Sequence, residues 1–172
     1  MGGAWHLTRR FFGSLRPGGP SAGDVEWVRS VLSDDEFELW RRLYGPDRRH
    51  SVTVARRVEV ALDERATPPV LAAALLHDVG KTQSSLRTYT RVAATLSAAV
   101  AGRDTAELWA SGRGVTRRIG LYLQHPQLGA DQLSMVGSDP VVVAWAREHH
   151  LPAEDWTIDR PLAEALYEAD DD

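Results

Sequence analysis

The sequence predicts an all-α protein, a single-domain helical bundle. Three observations carry that expectation: apolar residues recur at three- and four-residue steps, Ser, Asp and Pro stand where helices would begin, and no stretch alternates apolar and polar residues as a convincing strand would. A chain of 172 residues suits one domain with a sizeable core, and 43% hydrophobic against 26% charged residues is an ordinary globular balance. A formal net charge of −4 argues against a protein built to coat DNA. No apolar run approaches the roughly 18 residues of a membrane span, and residues 1–20 lack the apolar core of a signal peptide, so the expected location is cytoplasmic.

Residues 4–14 are basic and aromatic, an amphipathic segment able to lie on the domain, on a partner or on a membrane surface. The Gly/Pro-rich residues 16–21 read as a linker, which divides the chain into a 1–22 segment and a 23–172 helical domain. Asp24 is read as the cap of a helix carrying Val25, Trp27, Val28, Val31 and Leu32. Ser33 and Glu36 have capping-box spacing for the next, which holds Phe37, Leu39, Trp40 and Leu43 and ends at Gly45-Pro46. From residue 47 to about 64, His50, Val54, Val58 and Ala61 fall on one stripe, which turns His50 inward.

Thr67-Pro68-Pro69 starts a helix at about 68–78 whose Ala/Leu run reads as buried. An Ala-rich helix is expected at about 89–100, then a glycine-punctuated stretch at 102–114 around Glu107-Leu108-Trp109. Val115, Ile119 and Tyr122 mark a further helix that Pro126 ends or restarts, which places His125 at a helix junction. Ser138 or Asp139 caps a helix begun by Pro140, with Val142, Trp145, Ala146 and His149 on one stripe and His150 beside them. Asp159 and Pro161 open the last helix, where Leu162, Leu166 and Asp170 align.

The buried helix closes on His77-Asp78-Val79-Gly80-Lys81. An adjacent His and Asp at the inner end of an apolar helix are expensive to desolvate without a partner, and a metal is the obvious one. The plain alternative is a helix end with Asp78 hydrogen-bonded and His77 packed. Gly80 can end the helix and swing Lys81 toward the same site; a salt bridge to Asp78 or a solvated loop position are the plainer readings of that lysine. There is no cysteine, so a metal here must take nitrogen and oxygen ligands, which suit iron, manganese, magnesium or zinc. His50, His77, His125, His149 and His150 all lie on an inward stripe or at a helix end. With Asp78 and Asp170 they offer donors for two divalent metal ions sharing Asp78 as a bridge. Asp171 can stand in for Asp170.

His50, then His77-Asp78, then a distant Asp170 resembles the HD-domain superfamily of metal-dependent phosphohydrolases, over roughly residues 47–171. His77-Asp78-Val79-Gly80-Lys81 is similar to the family's HD-x-G-K form, residues 125–130 to its His-Pro-x-x-Gly segment, Glu148-His149-His150 to the paired histidines of the HD-GYP branch, and Ala169-Asp170 to its closing Ala-Asp. The resemblance implies a domain of the HD type with a buried two-metal site. His50, His77, Asp78 and Asp170 would bind one ion, and Asp78, His125 and His149 or His150 the other.

It also implies hydrolysis of a phosphoester or phosphoanhydride, in a nucleotide or other small phosphorylated substrate, by a metal-activated hydroxide, with Asp78 and Lys81 in catalytic roles. Di-iron oxygenases of the same superfamily share the ligand set, and a non-catalytic nucleotide-binding module is the third reading. The chain departs from the pattern at residues 151–156, which replace Gly-Tyr-Pro and speak against cyclic-dinucleotide cleavage, and at Pro46, where some trinuclear relatives carry glutamate. Arg87, Arg91, Arg103, Arg113, Arg117 and Arg118 form either a solvated basic face or a phosphate-gathering rim.

Overall fold

The computed structural model describes residues 18–84 and 109–171. Eight α-helices lie within them: α1 (Ala22–Val31), α2 (Asp34–Arg41), α3 (Gly45–Leu62), α4 (Pro68–Leu76), α5 (Gly114–Leu123), α6 (His125–Met135), α7 (Pro140–Glu148) and α8 (Arg160–Asp171). Short 3₁₀ turns follow α3, α4 and α7, at Asp63–Arg65, Val79–Gln83 and Ala153–Asp155. No strand occurs among the described residues, and no helix there is long and apolar enough to cross a membrane. The basic aromatic segment at 4–14, the helix expected at about 89–100, Glu107-Leu108 and the arginines Arg87, Arg91 and Arg103 lie outside the described residues.

Helix α4 is the centre of the bundle. Its residues from Val70 to Leu76 are all buried, the pattern of a helix covered on every side. Helices α3 and α7 pack against it, α6 packs on α7, and α8 packs on α3. The core is filled by Val28 from α1, Trp40 from α2, Val54 and Val58 from α3, Leu75 and Leu76 from α4, Leu133 from α6, Val142 and Trp145 from α7, and Leu166 from α8. Trp40 keeps its indole donor satisfied in this interior by giving it to Ser51 Oγ at 2.9 Å.

Several boundaries differ from the sequence expectation. The cap of α1 is Ser21: its hydroxyl accepts from Asp24 N at 3.1 Å while the Asp24 carboxylate accepts from Ser21 N at 3.2 Å, so Asp24 is the third helical residue of a capping box. The Ser33–Glu36 box is present as expected. Gly45-Pro46 opens α3; the preceding helix already stops at Arg41, and proline is well placed in a first turn, where its missing N–H costs nothing. The α3 stripe holds at Val54 and Val58, but Ala61 is exposed; four residues after Val58 it is Leu62 that packs against the core in the last turn. Pro126 restarts the chain as α6, Asp139 caps α7 by accepting from Val141 N at 2.9 Å, and Val115 is exposed.

Candidate metal centre

Three histidines of the site stand at helix ends, where the carbonyls of the last turn lack intrahelical partners. His77 is the C-terminal cap of α4, His149 that of α7, and His125 follows α5 across Gln124. Each turns its ring back on that final turn: His77 Nδ1 lies 2.9 Å from Ala74 O, His125 Nδ1 2.6 Å from Tyr122 O, and His149 Nδ1 3.0 Å from Ala146 O. A carbonyl can only accept, so Nδ1 carries a proton in all three and Nε2 is the nitrogen turned into the site, where it offers a lone pair whenever the ring is neutral. The same backbone bond fixes ring direction, as carbonyls and carboxylates behind the rings of metal-bound histidines do.

The three Nε2 atoms converge on Asp78. Those of His125 and His149 lie 3.3 and 3.7 Å from its Oδ1, and that of His77 lies 3.4 Å from its Oδ2. On the other side of His77, the packing of α8 on α3 brings Asp170 Oδ1 to 2.8 Å from His50 Nε2 and 3.7 Å from His77 Nε2. Arg57 of α3 holds that corner by donating to Ala169 O at 3.1 Å. Two donor sets result, Asp78, His125, His149 and His150 in one and His50, His77 and Asp170 in the other, with donor atoms of each set within 4.8 Å of one another. Asp78 stands between them.

The structure therefore brings together His50, His77, Asp78, His125, His149, His150 and Asp170. His149 is buried; His150 lies at the exposed margin, its ring centroid 4.0 Å from that of His149 and 5.2 Å from that of His125. Asp170, not the exposed Asp171, meets His50. Lys81 is ion-paired with Asp78 Oδ2, the plainer of its expected positions, and keeps 15% of its side chain exposed. The cluster meets solvent at the exposed His150 and at the half-buried His50 and Asp170, whose side chains are 30% and 17% exposed against 2% for His77. A surface groove of about 650 Å³ bordered by Val52, Arg56, Val60 and Ala165 shares no residue with the cluster.

Burial opposes a charge on Asp78, yet the Lys81 ammonium and then His77 hold its carboxyl well below the usual range. Burial likewise opposes a charge on His77, but the carboxylates of Asp78 and Asp170 outweigh it and raise its pKa to about 9. Lys81 is raised because the Asp78 carboxylate overcomes its desolvation. His125, whose desolvation prevails, falls to about 4 and is neutral at physiological pH, as a nitrogen ligand must be. Among the described residues, six buried side-chain atoms have no hydrogen-bond partner, and four are His77 Nε2, Asp78 Oδ1, His125 Nε2 and His149 Nε2. At about 1–3 kcal/mol each, such orphans in one place cost roughly as much as a domain's whole stability. Divalent cations held by the two donor sets would satisfy them, and the N/O donor chemistry fits such ions.

Sequence reasoning did not find what lets the segments meet. A β-carbon on Gly80 would strike the His125 carbonyl and lie 2.6 Å from Gly129 N, while one on Gly129 would lie 3.1 Å from Gly80 N. Gly80 thus serves close backbone approach between the 79–83 turn and α6; among the described residues the glycines with positive φ are Gly18, Gly114 and Gly137, and Gly80 is not one of them. The pairing of the HD-x-G-K and His-Pro-x-x-Gly glycines was the available signal. Compared with known proteins, the chain matches no family model, no curated protein and no solved structure.

Proposed function

We propose that this chain is a metal-dependent phosphohydrolase of the HD-domain type, acting on a phosphoester or phosphoanhydride of a nucleotide or other small phosphorylated metabolite. The observation that carries the reading is the convergence of four buried, unpartnered donor atoms around Asp78, three of them imidazole nitrogens already oriented by backbone carbonyls. His50, His77 and Asp170 would hold one divalent ion and Asp78, His125 and His149, with His150 at the margin, a second; Asp78, whose Oδ2 lies 3.4 Å from His77 Nε2, would serve both. Iron, manganese, magnesium and zinc all suit this donor set. Ions bound there supply Lewis acidity toward phosphoryl oxygens and lower the pKa of water toward neutrality.

The protein's own groups supply the remainder. Asp78 joins the two donor sets through its two oxygens. Lys81, kept cationic by its raised pKa, is a partly exposed positive charge beside Asp78 where a phosphoryl group would meet it. Arg113, Arg117 and Arg118, exposed just before and along α5, add positive charge to the helix that packs on the Lys81 turn, favourable for a small anionic substrate.

The test is metal analysis of the purified protein, then a phosphate-release screen over nucleotides, dinucleotides and sugar phosphates with manganese, iron or magnesium. The expected result is bound metal and metal-dependent phosphate release, both lost in Asp78→Ala. Oxygen consumption without phosphate release would replace hydrolysis by the oxygenase reading. Nucleotide binding without conversion would replace it by the binding-module reading.

A further inference from the structure

We propose that Glu148 is a positioning residue for the donor set: by clamping Thr157 it fixes the end of α7 and so aims His149 and His150. The inference rests on the metal-centre reading above. Glu148 is the last residue of α7, only 5% exposed, and its carboxylate is held by one residue. Thr157 N donates to Oε2 at 2.7 Å and Thr157 Oγ1 to Oε1 at 2.6 Å. A carboxylate at a helix C-terminus opposes the helix dipole, and burying it costs several kcal/mol more unless short, charge-assisted hydrogen bonds offset the loss. Both oxygens are committed to such bonds, so Glu148 serves this clamp and not solubility.

The clamp acts where His149 is most vulnerable. His149 Nδ1 is oriented by Ala146 O at 3.0 Å and Trp145 O at 3.3 Å, so its direction depends on the last turn of α7 staying wound, and last turns fray. After Glu148 the chain turns at once, with Leu151 N donating to Glu148 O at 2.7 Å. It then returns beside α7: Trp156 Nε1 donates to Leu151 O at 3.2 Å, and the Trp156 ring lies edge-on to Trp145, 5.7 Å between centroids. Thr157 closes this loop onto Glu148. The two histidines thus sit between a helix end and a loop that one buried carboxylate holds together.

The decisive comparison is Glu148→Gln with Glu148→Ala. A threonine hydroxyl accepts as well as donates, so an amide can remake both bonds, accepting from Thr157 N and donating to Thr157 Oγ1. Alanine can make neither. The first readout is the ¹⁵N imidazole spectrum of His149 and His150 in EDTA-treated protein, and the second is manganese affinity. Glu148→Ala is expected to move or broaden both histidines' ring signals and weaken manganese binding about 10- to 100-fold, and Glu148→Gln to keep both near wild type. Wild-type ring signals in Glu148→Ala would overturn the proposal, and so would equal losses in the two variants, which would make the charge itself the functional feature.

If Glu148→Ala does not fold, Thr157→Val removes the hydroxyl bond alone. It is expected to broaden the same signals, and an unchanged spectrum would overturn the clamp. Because the spectra are taken without metal, a wild-type protein that binds no manganese would refute the proposed function while the ring signals still decide the role of Glu148.

Discussion

Replacing Gly80 by alanine probes the tightest joint in the site. A β-carbon there would stand 2.6 Å from Gly129 N and closer still to the His125 carbonyl, where ordinary contacts begin near 3.4 Å. Both obstacles are main chain at the start of α6 and cannot rotate away, so the 79–83 turn and α6 must separate by roughly 1 Å, at an overpacking cost of about 1–3 kcal/mol. At about 2–4 °C per kcal/mol for a chain of this size, Tm should fall by roughly 2–12 °C. The atom displaced belongs to His125, whose ring is directed from that backbone, so manganese affinity should also drop by about 10- to 100-fold.

Gly137→Ala is the control. Its φ of 74° strains any β-carbon by about 1–2 kcal/mol, but nothing lies within 4 Å and the residue is far in sequence from the ligands. It should lower Tm by several degrees and leave manganese affinity unchanged. Calorimetry and metal titration of the two variants read both effects. A Gly80→Ala protein with wild-type Tm and affinity would refute the inferred closeness of the turn to α6.

Lys81→Ala should retain its metal, since the lysine competes with a cation for Asp78 Oδ2, while turnover falls by about 10²-fold or more; unchanged turnover would return Lys81 to a purely ion-pairing role. His149→Ala should lose one ion of two, because its buried Nε2 faces Asp78, whereas His150→Ala, at the exposed margin, should chiefly raise KM; the reverse pattern in metal titration would exchange their roles. In EDTA, His77 binds its proton more tightly folded than unfolded, with a folded pKa of about 9 against 6.5. Its contribution to stability is therefore complete below pH 6.5 and lost as pH rises through 9. His125 has the opposite sign: its pKa of about 4 makes stability fall as pH drops from 6.5 toward 4. Thermal unfolding of metal-free protein should thus peak near pH 6.5, and a Tm rising steadily from pH 6.5 to 9.5 would contradict the His77 environment.

What the sequence revealed and what it concealed divide along a physical line. The α7 stripe of Val142, Trp145, Ala146 and His149 was legible because helical spacing alone decides which residues share a face, and all four are buried. That His77 and Asp78 would be buried and would gather compensating partners was legible because an apolar helix ending in two ionisable groups needs them; Lys81 and the neighbouring histidines stand there. Proline positions were ambiguous, since a proline both ends one helix and opens the next; Gly45-Pro46 does the second. The role of Gly80 was hidden because it is set by Gly129, 49 residues away, and no local rule reports which distant backbone will press against a glycine. Glu148 was hidden for the same reason, since only the folded loop brings Thr157 to it.

The same helix geometry bears on charge. Three helix C-termini, those of α4, α5 and α7, end at histidines of the cluster, and each brings the negative end of a helix dipole there. Two carboxylates, Asp78 and Asp170, add to this negative potential. Lys81 on Asp78 balances it together with a proton on His77, whose pKa is raised to about 9 by the two carboxylates. Both compensators occupy donor atoms that a divalent ion would need: Asp78 Oδ2 and His77 Nε2. On the proposed function, a divalent ion bound here would have to displace the His77 proton and loosen Lys81 from Asp78, and the released ammonium would then be free to meet a phosphoryl oxygen.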